Sequence, residues 1–358
     1  VTQSINRYSF SPSWSWGTLY LGDFSPSFTD FTMGGIPLRG YGVDLHPGLF
    51  KLFVINGVVK EASGDSLERA YKRDLLGVKL GMGRISLNMV KAKDDTSSLH
   101  DAEDVMPQEN LVFSLSTDFS IYKLKLEGEV GGSAHTRDIR SSPYDEMDIP
   151  PFIEGVFTPR HSTRYDYAYR LGAAVPLPFG KLKLSWCYVG PGFTSFGLSQ
   201  TSNDRNEWKA DIRIKPHRAI SVRVNFGENR DNLIGDKLST TKKRNTALQV
   251  NLIPGRVYML SGNYQRNAIQ KNTISDTLSF DNLTENFGIL QGFNFELKGT
   301  SNTLQMNLSY QQSRNINPSV ITPETRTLTY NINHSTRFKF PLSLNLGFFR
   351  TDFSVDKE

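Results

Sequence analysis

Apolar and polar side chains alternate along much of this chain. In one stretch Leu304, Met306 and Leu308 alternate with Gln305 and Asn307. The clearest alternating stretches are residues 122–130, 165–171, 208–215, 219–227 and 303–311. Successive side chains of a β-strand point to opposite faces, so this pattern predicts strands with one apolar and one polar face.

These predicted strands have the length that a membrane strand needs. The alternating stretches last roughly 7–11 residues, and a tilted β-strand crosses a bilayer in about 9–11. The chain contains no apolar run long enough for a membrane-spanning helix. We expect the apolar positions to face lipid, and the strongest examples are Ile220, Val222, Val224, Leu304, Met306 and Leu308.

Short and long connections alternate between the predicted strands. The short turns fall near residues 16–17, 47–48, 83–84, 120–121, 178–181, 216–218, 253–255, 299–302 and 340–342. The long polar connections fall near residues 25–37, 61–70, 95–109, 139–161, 192–203, 230–240, 271–284 and 316–324. This spacing predicts about 18 strands joined as antiparallel hairpins.

Composition supports a wall in which only alternate residues meet an apolar phase. Hydrophobic residues make up 38% of the chain, although it contains 14 Tyr and 23 Phe. The net charge of +5 comes from Lys and Arg spread through the strands. Nucleic-acid binding normally needs a clustered basic patch, so we expect no nucleic-acid partner.

Strand pattern and connections together resemble the porin-like β-barrels of the bacterial outer membrane, without a diagnostic family motif. The resemblance implies an all-β fold, a single transmembrane antiparallel β-barrel over residues 1–358. It also implies contact with outer-membrane lipid and lipopolysaccharide. A soluble propeller would show repeats of about 40–50 residues, which the sequence lacks. A soluble sandwich would not place long connections at every second position.

The 139–161 connection is a candidate constriction loop. Its acidic residues are Asp145, Glu146, Asp148 and Glu154. It resembles the inward-folded acidic loop of general porins, which faces basic residues of the wall. The candidate wall residues are Lys79, Lys123, Lys125, Arg170, Lys183, Lys209, Arg213 and Arg223, of which Arg170, Lys209, Arg213 and Arg223 are the principal ones. The alternative is a solvated external loop.

The segment 22–45 is unusually aromatic and rich in glycine for an exposed connection. Phe24, Phe28, Phe31 and Met33 would be costly to expose to water. They therefore predict a plug or a partner-binding loop, and the alternative is a loop packed on the rim of its own barrel. The order GD, F, F, G and LRG in this segment is similar to the opening strands of pilus ushers, although no plug domain interrupts the later strands.

No catalytic or metal-binding motif is present in the sequence. HExxH, GxSxG and paired-cysteine patterns are absent. His161 and Ser162 are adjacent, but neighbours on a strand point apart, so they do not form a nucleophile and base. We expect no enzymatic activity, no cofactor and no metal.

The predicted function is passage or transport of hydrophilic solutes through a polar lumen. The alternative is a protein-translocating or structural barrel within a larger assembly, with other subunits or lipoproteins as partners. The strand count places both ends of the chain on the side of the long connections. Outer-membrane barrels usually bring both ends to the other side. Two interpretations therefore remain open at this point: the count is wrong by one strand at each end, or the sequence is an excerpt of a longer barrel.

Overall fold

The computed structural model describes residues 8–65, 69–99, 104–144, 155–200, 202–273, 279–317 and 323–356. Within these ranges the chain is almost entirely β-structure, with one short 3-10 helix at Thr96–Ser98. The all-β prediction is confirmed. No helix in these ranges is long and apolar enough to cross a membrane.

The strands follow one another from the first described residues to the last. In chain order they are β1 Ser9–Phe10, β2 Ser13–Trp14, β3 Gly17–Phe24, β4 Met33–Gly34, β5 Leu38–Leu45, β6 Phe50–Lys60, β7 Lys72–Met82, β8 Ile85–Asp95, β9 Glu109–Ile121, β10 Leu124–Thr136, β11 Thr163–Leu177, β12 Gly180–Val189, β13 Gly197–Leu198, β14 Arg205–His217, β15 Ile220–Arg230, β16 Ser239–Leu252, β17 Tyr258–Thr273, β18 Phe280–Leu297, β19 Thr300–Asn315, β20 Glu324–Arg337 and β21 Ser343–Asp356.

The strands pair as a succession of antiparallel hairpins. Nineteen belong to one sheet, and β4 and β13 form a small parallel pair. Both β1 and β2 pair with β3, on either side of an interruption that contains Pro12. Proline cannot donate a ladder hydrogen bond, which accounts for an interruption there. If β1 and β2 are counted as one interrupted strand, the large sheet has eighteen strands, which is the predicted number.

Short turns alternate with long connections as predicted. Lys298 and Gly299 form the two-residue turn between β18 and β19, with φ of 49° and 79°. Positive φ at both central residues gives the turn a twist that matches antiparallel strands. The next connection along the chain, between β19 and β20, spans residues 316–323.

Both ends of the described chain lie beside long connections. The backbone amide of Asp23, at the end of β3, donates a hydrogen bond to the carbonyl of Tyr8 over 2.8 Å. Asp356 is the cross-strand neighbour of Glu324, the first residue of β20. This is the side that the strand count predicted.

The first compact unit consists of residues 1–120, 126–171 and 187–204. It has a buried apolar core on one face of β5–β8, which we call its core face. The strands contribute Leu38, Phe53, Ile55, Leu75, Val90 and Ala92, and the connection between β3 and β5 contributes Phe28, Met33 and Ile36. This face is therefore covered by the chain itself.

The second compact unit consists of residues 121–125, 172–186 and 205–358. Leu283 is the one apolar side chain fully buried among its described residues, and no buried apolar cluster forms in them. The unit is built from long paired strands whose two faces differ in composition.

The strands of the second unit are longer than the sequence pattern predicted. The alternating stretch at residues 303–311 lies within β19, which extends over 16 residues. Beyond Tyr310 the apolar alternation ends, but Gln311 and Gln312 still pair with Thr327 and Arg326. The pattern reports only the part of a strand that meets an apolar phase, so it underestimated the strand itself.

The last strand departs from the alternation of its neighbours. β21 pairs with β20 along its length, and all 14 of its residues are exposed. Leu346 and Phe348 share a face with Ile332, whereas Phe349 and Phe353 lie on the other, polar face. The two faces of β21 are therefore both partly apolar.

Candidate functional site

The 24–38 segment folds into a compact loop on the core face of the first unit. The amide of Phe28 donates to the carbonyl of Met33 over 3.0 Å, and the amide of Gly35 donates to the carbonyl of Pro26 over 3.0 Å. Gly35 has a φ of 62°, a conformation that favours glycine. These bonds reverse the chain within a few residues and point its aromatic side chains at the sheet.

Apolar burial accounts for most of the packing of this segment. Phe31 and Met33 are 2% and 0% exposed, and Phe28 is also buried. Phe28 and Met33 join the core cluster of β5–β8, whereas Phe31 packs in a second cluster. The other members of the second cluster are Val112, Ala168, Cys187, Val189 and Phe193. Phe24 is half-buried and stacks on Tyr20 with ring centroids 5.1 Å apart.

Polar side chains of the sheet also hold the 24–38 segment. The Nζ of Lys79 donates to the carbonyl of Phe28 over 3.0 Å. Arg170 forms an ion pair with Asp30, and its guanidinium lies 5.5 Å from the centroid of the Phe31 ring. Two of the basic residues predicted to line the polar face thus bind this segment.

A second connection, the 190–198 segment between β12 and β14, packs beside the first. Its strand β13 pairs in parallel with β4, with Gly197 opposite Met33. The hydroxyl of Ser195 donates to the carbonyl of Thr32 over 2.6 Å. A Cβ at Gly197 would lie 2.2 Å from that carbonyl oxygen, so this approach requires glycine.

Asn110 on β9 fixes the backbone of the 190–198 segment. Its Nδ2 donates to the carbonyl of Thr194 over 2.9 Å, and its Oδ1 accepts from the amide of Phe196 over 3.0 Å. The hydroxyl of Ser133 donates to the same carbonyl of Thr194 over 2.6 Å. The segment is therefore bound by directed hydrogen bonds as well as by the burial of Phe193.

Arg73 completes the cover at the long-connection end of the core face. It binds Asp94 through Nε and Nη2 over 2.6 and 3.0 Å. Its guanidinium carbon also lies 3.6 Å from the centroid of the Phe196 ring. Stacking on an aromatic face and bidentate carboxylate binding suit the planar guanidinium, which a lysine could not replace.

The sequence did not predict that the 190–198 region packs on the sheet, because the pattern there indicated part of a long polar connection. Two aromatic residues, Phe193 and Phe196, stand there among glycines. The same feature singled out the 24–38 segment, so it was also the available signal here.

The predicted acidic constriction loop lies mostly outside the described residues. Asp145, Glu146, Asp148 and Glu154 are all in the range 145–154, which the structure does not describe. The part that follows packs on the sheet, with Phe157 buried against Leu111 and Ala134. These two neighbour Asn110 and Ser133 in sequence, so this contact is on the face opposite the core face.

A polar cavity of about 370 Å³ lies against the 24–38 segment within the first unit. Its charged lining residues are Asp30, Lys51, Lys79, Arg84, Asp118, Glu127, Glu129 and Arg170. Glu129 is 8% exposed, and its Oε1 has no hydrogen-bond partner among the described residues. Four of its charged lining residues are acidic and four are basic.

The other three principal basic residues of the prediction lie on strands β14 and β15 of the second unit. Lys209 pairs with Glu207 over 2.8 Å, and Arg223 pairs with Asp211 over 2.7 Å. Arg213 is the direct cross-strand neighbour of Arg223. The three share one face of the sheet, as the alternation predicted.

On the other face of the second unit, residues form rows that cross five strands from β16 to β20. One row is apolar and aromatic, and the next row towards the long connections is polar. The first consists of Leu248, Tyr264, Phe287, Tyr310 and Leu328. The second consists of Thr246, Arg266, Glu285, Gln312 and Arg326.

The tyrosine hydroxyls of the first row point towards the second. Tyr264 donates to the Oε1 of Glu285 over 2.8 Å. Tyr310 lies 3.4 Å from the Oε1 of Gln312. The side towards the short turns carries apolar residues such as Ile289 and Leu308, which are 48% and 40% exposed. This face therefore has a sharp boundary between an exposed apolar area and a charged one.

Comparison with known proteins gives no family for this chain: no protein-family model matches the sequence, and no curated protein matches it significantly.

Proposed function

We propose that this chain is a β-barrel protein of the bacterial outer membrane that passes hydrophilic solutes along the polar face of its sheet. The observation that carries the proposal is the pair of rows across β16–β20. Membrane barrels carry a band of aromatic side chains at the boundary between acyl chains and headgroups. The row across β16–β20 fits such a band, because its tyrosine rings adjoin apolar residues and their hydroxyls contact the polar row.

Lipid is the environment that suits the apolar face of the second unit. Large side chains such as Phe287, Ile289 and Leu308 are 40–49% exposed on it. Water would make a contiguous apolar surface costly, whereas acyl chains would not. In acyl chains every backbone amide needs a partner, which an antiparallel sheet provides when it closes as a barrel.

Antiparallel barrels with short turns on one side and long connections on the other are typical of the outer membrane of bacteria. In that setting the ion pairs beyond the aromatic row, such as Arg244 with Glu228 over 2.7 Å, would lie at headgroup level. The lipid partners of the chain would then be outer-membrane lipid and lipopolysaccharide.

Spin labels at two neighbouring residues test the membrane assignment. With the full chain refolded in vesicles, lipid-soluble oxygen should accelerate the spin relaxation of a label at Leu308. A water-soluble nickel chelate should accelerate the relaxation of a label at the adjacent Ser309, on the opposite face. The assignment fails if the Leu308 label reports water.

Vesicle swelling tests the passage of solutes separately. Vesicles that contain the chain should swell in an isotonic solution of a small neutral solute faster than empty vesicles. An equal rate in both would contradict the proposed passage while leaving the membrane assignment in place.

A second candidate function is a protein-translocating or structural barrel within a larger assembly, with further subunits or lipoproteins. The observation that favours it is the second buried cluster of the first unit, where Phe31 and Phe193 pack together and cover residues of β9, β11 and β12. If the wild-type chain gives no conductance in a planar bilayer but Phe31→Ala does, the covering segment blocks the passage and the second candidate is favoured.

A further inference from the structure

The polar face of β16–β20 consists of uncharged amide and hydroxyl side chains over most of its length. Two of its cross-strand rows contain Asn245, Asn267, Thr284, Ser313 and Thr325, and Ala247, Gln265, Asn286, Gln311 and Thr327. The next two contain Gln249, Asn263, Gly288, Ser309 and Thr329, and Asn251, Ser261, Leu290, Asn307 and Asn331. None of these side chains is charged. We call this surface the amide face.

We infer that the amide face binds neutral, hydroxyl-rich solutes of the carbohydrate class. The inference rests on the proposed function, because it names the kind of solute that the polar face would take. Its basis is a match of hydrogen-bonding groups: a side-chain amide both donates and accepts, and so does each sugar hydroxyl.

A depression of about 520 Å³ on the same side of the sheet borders the four rows towards the short turns, across β19–β21, and offers free groups for such a ligand. Its polar lining includes Thr303, Gln305, Asn333, Ser335 and Asn345. In the described part of the chain the amides of Gln305, Asn333 and Asn345 make no side-chain hydrogen bond. They are therefore available to a bound solute without first breaking an internal contact.

Other amides of this face are already engaged with one another. Asn251 accepts from the hydroxyl of Ser261 over 2.6 Å and donates to Ser221 over 3.2 Å. Displacing such bonds would offset part of the gain from binding. The depression at the border of the amide face is thus the place where a ligand would form hydrogen bonds at the lowest cost.

Charge separates this surface from its neighbours. Ionised residues on the same side of the sheet lie outside the four rows. Asp211 and Arg223, on β14 and β15, are paired with each other. Lys243 and Lys271 lie towards the long connections, and Glu296 and Arg337 lie towards the short turns. The four rows across β16–β20 offer a small ion no opposite charge to compensate for its lost hydration. A neutral sugar loses only hydrogen bonds to water, and side-chain amides can replace these.

A polypeptide is a poorer match than a carbohydrate. Its backbone amides pair with the edges of strands, and the amide face presents side chains only. Its apolar side chains would also meet mostly polar groups in these rows, in which the only side chains without a polar group are those of Ala247, Gly288 and Leu290.

Saturation-transfer NMR on the full chain in detergent tests the inference with the neutral trisaccharide raffinose. We expect raffinose to receive saturation, and we expect the saturation-transfer signal to level off as the raffinose concentration rises. Tetraglycine at the same concentration should receive little. Equal or stronger saturation of tetraglycine would overturn the inference in favour of a peptide ligand.

The variant with Gln305→Ala, Asn333→Ala and Asn345→Ala should lower the affinity for raffinose about tenfold, because each amide contributes a hydrogen bond. The control variant, Asn225→Ala and Asn229→Ala on β15, should bind as the wild type does. An unchanged affinity in the first variant, with sheet content intact by circular dichroism, overturns the inference. Because binding is measured in detergent, its outcome is independent of the swelling result that tests the proposed passage.

Discussion

Two kinds of contact hold Phe31 and its neighbours on the sheet, and they differ in energy. Burying a large apolar side chain stabilises by about 1.5–3 kcal/mol, and Phe28, Phe31 and Met33 are all buried. The ion pair of Asp30 with Arg170 involves an aspartate that is 64% exposed, and exposed pairs contribute about 0–1 kcal/mol. Apolar burial therefore fixes the segment, and the ion pair adjusts its position.

Phe31→Ala should accordingly destabilise the packed segment by about 3–5 kcal/mol. Asp30→Asn should cost less than about 1 kcal/mol. Hydrogen exchange of the amides of Phe28 and Gly35, which are bonded within the segment, measures both effects. A larger loss of protection in Asp30→Asn than in Phe31→Ala would show that the ion pair dominates.

Leu308 tests the orientation of the wall at the level of one residue. Leu308→Arg would place a charge on the apolar face, and near the middle of a bilayer this costs about 2–4 kcal/mol. Ser309→Arg, one position along on the polar face, should cost much less. Urea unfolding of both variants in vesicles gives the comparison, and equal midpoints would contradict the assigned faces.

Asp138 is expected to keep its contacts well into the acid range. Its side chain accepts hydrogen bonds from Arg140, which lower the pKa of this carboxyl below its usual value. A carboxyl with a lowered pKa in the folded state stabilises above its unfolded pKa and loses that contribution as pH falls through the lowered value.

The amide of Arg140, which donates to Asp138 over 2.9 Å, should therefore keep its protection from exchange down to the ordinary carboxyl pKa of about 3.9 and lose it below. Asp138→Asn should remove this pH dependence. A transition well above that pH in the wild type would contradict the assigned cause.

At the scale of elements, the parallel pairing of β4 with β13 depends on one glycine. Gly197→Ala would bring a Cβ to 2.2 Å from the carbonyl oxygen of Thr32. The backbone must then separate, at a cost of about 1–3 kcal/mol. Gly132→Ala is a matched control, because nothing lies within 4 Å of a Cβ there.

The buried hydroxyl proton of Ser195, which donates to the carbonyl of Thr32 over 2.6 Å, reports on this pairing. Its exchange should accelerate in Gly197→Ala and remain unchanged in Gly132→Ala. Equal rates in both variants would mean that the two segments tolerate a wider separation than their register indicates.

The elements that follow a local rule could be predicted from the sequence. The alternation of Tyr165, Tyr167 and Leu171 with Ala168 and Arg170 predicted the two faces of β11, and Ala168 is indeed buried while the others are exposed or half-buried. Turn chemistry likewise predicted a short turn near residues 299–302, and the structure has it at Lys298 and Gly299, with residues 300–302 already in β19.

The elements that depend on distant residues could not be predicted. The sequence indicated that Phe28 and Phe31 need cover, but not that Val112, Ala168 and Phe193 provide part of it. The pairing of Met33 with Gly197 leaves no periodic signal, because each partner strand has only two residues. Periodicity requires a longer strand than this.

At the scale of the whole molecule, the two compact units use the same hairpin plan with different surroundings. The first unit buries its apolar core under its own connections. The second unit has no such cover among its described residues and divides its two faces between apolar and amide side chains. Consecutive hairpins thus form both a sheet covered by its own connections and, among the described residues, a sheet without such a cover.

The β4–β13 pair has a consequence for the order of folding. Each hairpin joins strands that are adjacent in sequence, so its chain ends meet after the closure of a short loop. Met33 and Gly197 meet only when more than a hundred intervening residues have been brought together. Closing so long a loop costs conformational entropy, and this cost is small only if the hairpins already hold both segments near each other. We therefore expect burial of Phe31 and Phe193 to be the late, rate-limiting event of refolding, and Gly197→Ala to leave the early formation of sheet unchanged.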